Sequence, residues 1–428
     1  MKICVFGLWH LGSVTAACLA GAGFTTIGLE EDPAQAAALS QGRPPLFEPG
    51  LEELLRSGIA AGKLTFTSDK RAVAGCDVAW ITFDTPIDDD DRADVAFVVD
   101  RIGTLFPLLR EGTVVLISSQ LPVGTVAEIE RAFAAVANGR HVAFACSPEN
   151  LRLGHAIAAF RQPERVVIGS RGGFEKPILT ELFAPFCSNI IWVGTEAAEL
   201  TKHALNAFLA ACVTFINEIA TLGEKVGADA REVERALRSE PRIGQKAYIR
   251  PGAAFAGGTL ARDVTFLSEI ARRNGLPLDM IGAILKSNGF HRRWPSRKLQ
   301  ERLGEISGRK VAILGLSYKP GTDAIRRSLA VELGDSLCAA GATVAAYDPA
   351  VKALPGAPKN FILAGGVAEA LSRADALVVM TEWPDFKTIK ADEIVARMAT
   401  PNVLDQNAFL DHLAADPRIN YLTIGKPQ

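Results

Sequence analysis

The sequence predicts an α/β protein in which two parallel-sheet domains flank a helical middle. Three features carry that prediction. Short apolar runs alternate with helical periods from Lys2 to Gly194. A long stretch with apolar spacing near 3.6 then begins at Glu196, and the alternation returns after Arg309. Taken in order, "KICVFG" is a strand, "SVTAACLAGAG" a helix with a glycine stop, and "TTIGLEED" a second strand ending in acids. "DVAWITF", "GTVVLISS", "HVAFACS", "ERVVIG" and "NIIWVG" follow as further strands. Continuous apolar runs of this kind suit strands buried on both faces, which implies a parallel sheet covered by helices. "EAAELTKHALNAFLAACVTFINEIATLGEKVG" is long for a globular helix. "AREVERALRSE", "LARDVTFLSEIARRNG" and "PLDMIGAILKSNGFHRRW" extend the helical middle. "RKVAILGLSYKPGTD" opens a second α/β block, continued by the helix "LAVELGDSLCAAGA" and the strands "TVAAYDP", "DALVVMTEW" and "NVLD". The expected domains are 1–197, 198–305 and 306–428.

A chain of 428 residues is too long for one small core, and two or three domains are expected. With 48% apolar and 22% charged residues, the composition is that of a soluble globular protein. A net charge of −2 gives no reason to expect nucleic acid or an anionic membrane as partner. The apolar run "ALNAFLAACVTFINEIATLG" carries Asn206, Asn217 and Glu218, which fits a buried helix better than a membrane span. The seven cysteines are scattered, odd in number and contain no CxxC pair. That pattern implies reduced thiols and a cytoplasmic setting, with neither a disulfide framework nor a metal site.

The first strand runs into a glycine turn, as in Rossmann-like domains that hold a dinucleotide at a helix N-terminus. Gly7 and Gly12 fit the first and third positions of GxGxxG, but Trp9 stands at the second. That glycine normally admits the pyrophosphate, so Trp9 is expected to crowd it. Glu30 ends the second strand, where an acid accepts hydrogen bonds from a ribose diol and favours NAD over NADP. A tight strand–helix connection and a solvated strand-end acid would look the same in sequence.

Longer motifs are more specific. "QGRPPLFEPGLEELL", "DTPIDDDDRADVAFV", "QLPVGT", "SPENLRLGHAI", "PERVVIGS", "ELTKHALNAFLA", "EPRIGQKAYIRPG", "AGGTLARD", "AILGLSYKPGTDAIRRS", "YDP" and "TEWPDF" occur in that order. Together they resemble the UDP-glucose/GDP-mannose dehydrogenase family from end to end, most closely its UDP-glucose 6-dehydrogenases. The resemblance implies an N-terminal NAD domain, a long central helix that forms a homodimer, and a C-terminal nucleotide-sugar domain, with a UDP-sugar favoured. It also implies oxidation of a sugar alcohol to the acid in two steps, through an aldehyde captured by a cysteine. Carried over by position, Lys202 would stabilise oxyanions, with Asn206 beside it. Asp263 would assist water and orient the lysine, and Glu149 would lie near the reacting carbon. Thr85 and Gln120 would adjoin the cofactor with Gly7, Gly12 and Glu30. Arg242 would reach a partner's sugar, while Tyr248, Gly252, Lys319 and Arg326 would contact the substrate. Each also has a plainer reading. Lys202 could snorkel to solvent, Asn206 could bond within its helix, Asp263 could cap one, and the arginines could be surface charges.

Six departures from the family pattern cluster where the chemistry is expected. Thr259 takes the nucleophile position and Arg262 that of the lysine beside Asp263. Gln120 replaces a threonine, Leu153 a second glutamate, Asp84 a small or apolar residue, and Trp9 the glycine. A threonine hydroxyl is far less acidic than a thiol and needs an adjacent strong base. The first hydride transfer needs no cysteine, so the expectation is an NAD-dependent oxidoreductase limited to one hydride. The alternatives are a redox-neutral epimerase and a non-catalytic nucleotide-sugar-binding or partner subunit.

Overall fold

The computed structural model describes residues 1–86, 93–149, 151 and 153–427. Part of "DTPIDDDDRADVAFV" (87–92), and Asn150 and Arg152 of "SPENLRLGHAI", lie outside the described residues. The chain forms two compact units, Met1–Leu205 and Asn206–Gln428, and the division falls within the helix Thr195–Val226.

The first unit is built on eight strands: β1 (Lys2–Phe6), β2 (Thr25–Leu29), β3 (Leu64–Thr67), β4 (Val78–Ile81), β5 (Val114–Ile117), β6 (Ala143–Cys146), β7 (Val166–Gly169) and β8 (Ile190–Val193). Their order in the sheet is β3-β2-β1-β4-β5-β6-β7-β8. Alternate residues of β1 feed opposite cores. Ile3 and Val5 pack with Trp80 and Leu116 on one face, while Cys4 and Phe6 pack with Ile81 and Ile117 on the other. This is why the strands read as unbroken apolar runs. The pairings are parallel except at β6 and β7, which meet antiparallel at Cys146 and Gly169 alone. The intervening segment 147–165 is fastened at the carboxyl end of the sheet, where Glu48 accepts the backbone N–H groups of Gly154 and Ala156. The chain therefore re-enters the sheet from that end, without the crossover a parallel neighbour needs.

The second unit has β9 (Lys310–Leu314), β10 (Thr343–Tyr347), β11 (Phe361–Leu363), β12 (Ala376–Val379), β13 (Asn402–Asp405) and β14 (Asn420–Leu422). They are parallel throughout, in the order β11-β10-β9-β12-β13-β14. Polar side chains start two of its helices, Ala230–Ser239 and Leu329–Ala339. Ser328 accepts from Ala330 and Val331, and Asp229 from Arg231. Ala220, Ala230 and Trp294 of the helical middle share a core with Val311 and Ile313 of β9. Glu224 and Lys298 form a buried ion pair at 3.0 Å. The same carboxylate accepts Trp294 Nε1 at 2.9 Å and the Gly425 amide at 3.1 Å, which ties the end of the chain to the long helix.

Candidate active site

The dinucleotide turn follows β1. Gly7 has φ +97°, and a Cβ on Gly12 would lie 2.0 Å from the Gly7 carbonyl, so both positions require glycine. Trp9 precedes the helix His10–Gly21 and is 44% exposed. Its bulk is therefore presented at the mouth of the turn and not buried beneath it. Glu30 lies across from the turn, and its Oε2 accepts the Leu8 N–H at 3.0 Å. Gln35 Nε2 donates to the Leu8 carbonyl and to the same carboxylate. Glu30 thus already shapes the turn while its half-buried position leaves it at the strand end where a ribose would lie. A glycine cradle, an open helix N-terminus and a strand-end carboxylate fit a dinucleotide.

Of the remaining candidates of the first unit, Thr85, Gln120 and Glu149 follow β4, β5 and β6, at the carboxyl end of the sheet where open α/β sheets bind ligands, and Lys202 lies on the helix Thr195–Val226. Thr85 Oγ1 donates to the Gln120 carbonyl at 2.7 Å, so the structure joins these two loops. Lys202 Nζ donates to the Glu149 carbonyl at 2.8 Å. Glu149, Ser147, Thr201, Lys202 and Leu205 line one cavity, floored by Phe160 and Phe183. Lys202 is therefore tied into a concave site, in contrast to a snorkelling surface lysine.

In the second unit Asn206 Nδ2 donates to Asp263 Oδ2, and both residues are buried. Asp263 lies in the first turns of the helix Thr259–Arg273, and Thr259 is its first residue. The preceding Gly258 has φ +102°, and no side chain caps this N-terminus. Ahead of it the segment Gly252–Gly258 has no regular structure, and distant side chains hold its backbone. Asn217 Oδ1 accepts the Gly252 N–H, and His291 Nε2 donates to the Gly252 carbonyl at 2.9 Å. Asn288 bonds both backbone groups of Phe255, and Asn407 Oδ1 accepts the Ala253 N–H. Tyr248 is exposed, and Arg242, also exposed, pairs with Glu240 at 2.8 Å. Lys319 and Arg326 lie in the loop between β9 and the helix Leu329–Ala339. Asp348 organises the start of that loop by accepting the N–H groups of Leu316 and Ser317 and the Trp383 indole. Burial opposes the charge on Asp348, yet the N–H groups of Ser317, Leu316 and Ala350 hold its carboxyl below the usual range.

Cys146 is buried with its thiol on the Thr195 carbonyl, and burial together with nearby Glu199 pushes its pKa up to about 12. Residue patterns alone did not single out Glu48, Glu199, Asn217, His291, Asp348 or Asn407. Glu48, Glu199 and Asp348 lay inside quoted motifs, "FEPG", "ELTKHALNAFLA" and "YDP", without being distinguished there, while Asn217, His291 and Asn407 lay in none of them.

Two α/β units, the first holding both a dinucleotide turn and a cavity lined by Lys202, define an NAD-dependent nucleotide-sugar dehydrogenase. Three family models describe the chain in order. They are the UDP-glucose/GDP-mannose dehydrogenase NAD binding domain over residues 1–187, the central domain over 196–289 and the UDP binding domain over 312–412. The chain is 36% identical to a UDP-glucose 6-dehydrogenase of Rhizobium meliloti, with 100% of each chain covered. It is 34% identical to that of Pseudomonas aeruginosa, covering 100% of this chain and 98% of the relative. Among solved structures, a UDP-glucose dehydrogenase from Pyrobaculum islandicum superposes with a TM-score of 0.82 at 30% identity, over 91% of this chain and 92% of that one. The chain belongs to the UDP-glucose/GDP-mannose dehydrogenase family.

Proposed function

We propose that this protein removes a single hydride from a UDP-sugar alcohol and releases a carbonyl product. The observation that supports the single step is Thr259, the first residue of its helix, at the position the family pattern gives to cysteine. Bound NAD supplies the hydride acceptor. Lys202, anchored on the Glu149 carbonyl, places a cation where negative charge develops on the substrate oxygen. Glu149 and Asp263 supply carboxylates for proton removal, with Asp263 oriented by Asn206. Glu30 reads the ribose diol, Thr85 and Gln120 frame the nicotinamide side, and Tyr248, Gly252, Lys319 and Arg326 hold the nucleotide sugar. Cys146, the thiol at the end of β6, is buried and its pKa is pushed up to about 12, which disfavours it as the carrier of a thioester.

The test is stoichiometry with a panel of UDP- and GDP-sugars. One NADH per sugar, no acid product and no covalent adduct by mass spectrometry are expected. Two NADH per sugar with a uronic acid would overturn the single-step reading. A non-catalytic role is favoured only by Trp9 at the turn, and the absence of NAD binding in calorimetry would support it.

A further inference from the structure

The loop after β5 carries Gln120 and is clasped from a distance. On one side Thr85 donates to the Gln120 carbonyl. On the other, the first turns of the helix Thr195–Val226 supply two side chains. Glu199 accepts the Gly124 N–H at 2.7 Å on one carboxylate oxygen and the Val126 N–H at 2.9 Å on the other. His203 Nε2 donates to the Leu121 carbonyl at 3.2 Å. Glu199 is 7% exposed and His203 fully buried. The helix Thr125–Ala134 starts at Gly124, which has no side chain to cap it, so Glu199 is the cap. Lys202 lies between these two residues in sequence and points its amine at the Glu149 carbonyl.

We propose that Glu199 is a positioning residue that sets the nicotinamide side of the cofactor site, through the loop Gln120–Val126, against Lys202. This rests on the functional reading above, in which Gln120 borders the nicotinamide and Lys202 the reacting oxygen. The carboxylate does both tasks with one group. Its two oxygens fix the register between helix and loop, and one turn further along, the same helix presents the lysine. A neutral amide keeps the shape but has one acceptor oxygen, so one of the two N–H groups would face an NH₂ and the loop would shift. An error at this point would fall on the distance between hydride donor and acceptor, not on the adenosine half, which Glu30 at the end of β2 would hold.

The test compares NAD with ADP-ribose, which shares every contact of the adenosine and pyrophosphate but lacks the nicotinamide. Both are titrated by calorimetry into the wild type, Glu199→Gln and Glu199→Ala. In Glu199→Gln, NAD affinity should fall by on the order of tenfold, the scale of one lost charged hydrogen bond, while ADP-ribose affinity stays within about twofold. Equal weakening of both ligands would mean a general folding role and would overturn the proposal, as would unchanged NAD binding. Glu199→Ala should repeat the selective loss, and Glu199→Gln carries the test if the alanine variant does not fold. If the wild type itself binds ADP-ribose as tightly as NAD, the loop does not hold the ring. The functional reading of Gln120 then fails, and the proposal with it.

Discussion

Trp9 occupies the position where a glycine normally lets the backbone approach pyrophosphate, and its ring lies half exposed at the mouth of the turn. Trp9→Gly should therefore tighten NAD binding in calorimetry, and equal affinities would show that the ring moves aside without cost. Lys202→Ala should lower turnover by about 10²- to 10³-fold, the loss typical of one oxyanion donor. Its KM should change less than its kcat. His291 reports on the loop. Burial pushes its pKa down, opposed by the Gly252 carbonyl and by Glu224 and reinforced by Arg297. Below about pH 6.5, where an unfolded histidine takes a proton, the folded chain resists protonation. Stability contributed by neutral His291 is thus full above that pH and is lost as pH falls toward the lower folded value. Urea midpoints should drop between pH 7.5 and 5.5, and His291→Gln should flatten that slope at the expense of the Gly252 contact. A slope identical to wild type would remove His291 as its source.

The long helix carries three exposed apolar residues at seven-residue spacing, Phe208, Phe215 and Leu222, which are 67%, 51% and 58% exposed. Side chains seven apart return to one face of a helix, so they form a continuous stripe. We propose that this stripe packs on a second copy of the chain and that Arg242 then serves the partner's sugar. Phe215→Glu should shift the wild-type dimer to monomer in sedimentation at micromolar concentration. A monomeric wild type would remove the proposal. The segment Gly252–Gly258 shows the opposite case, an element whose conformation comes from outside itself. Four side chains, Asn217, Asn288, His291 and Asn407, supply bonds its backbone would otherwise take from water.

Each unit has its own sheet, buried on both faces, so each can unfold as its own cooperative block. Ligands that bind only the folded form raise the melting of the unit that holds them. In calorimetry NAD should raise one transition and UDP the other. A single transition moved equally by both would show that the units melt together. Lys298→Ala leaves the Glu224 carboxylate buried without its ion-pair partner, a loss of about 3–5 kcal/mol, and should lower the UDP-sensitive transition alone.

The sequence by itself determined the two α/β blocks and the helical stretch between them. Strands buried on both faces must be continuously apolar, and the turn after β1 must use glycine at Gly12, where a Cβ would lie 2.0 Å from the Gly7 carbonyl. It also set Thr259 between "PGAAFAGG" and "LARD", and the structure makes that residue the first of a helix. Only the tertiary structure decided the reversal between β6 and β7, since the buried Glu48 carboxylate that anchors the 147–165 segment is 106 residues from Gly154 in sequence. It likewise decided that Glu199 caps a helix 75 residues away from it and that Asn407 holds a loop 154 residues before it. Local pattern records which groups a segment must bury or turn on. A lone polar side chain that satisfies a distant backbone leaves no period and no spacing, and its role becomes visible only when the chain has brought the two together.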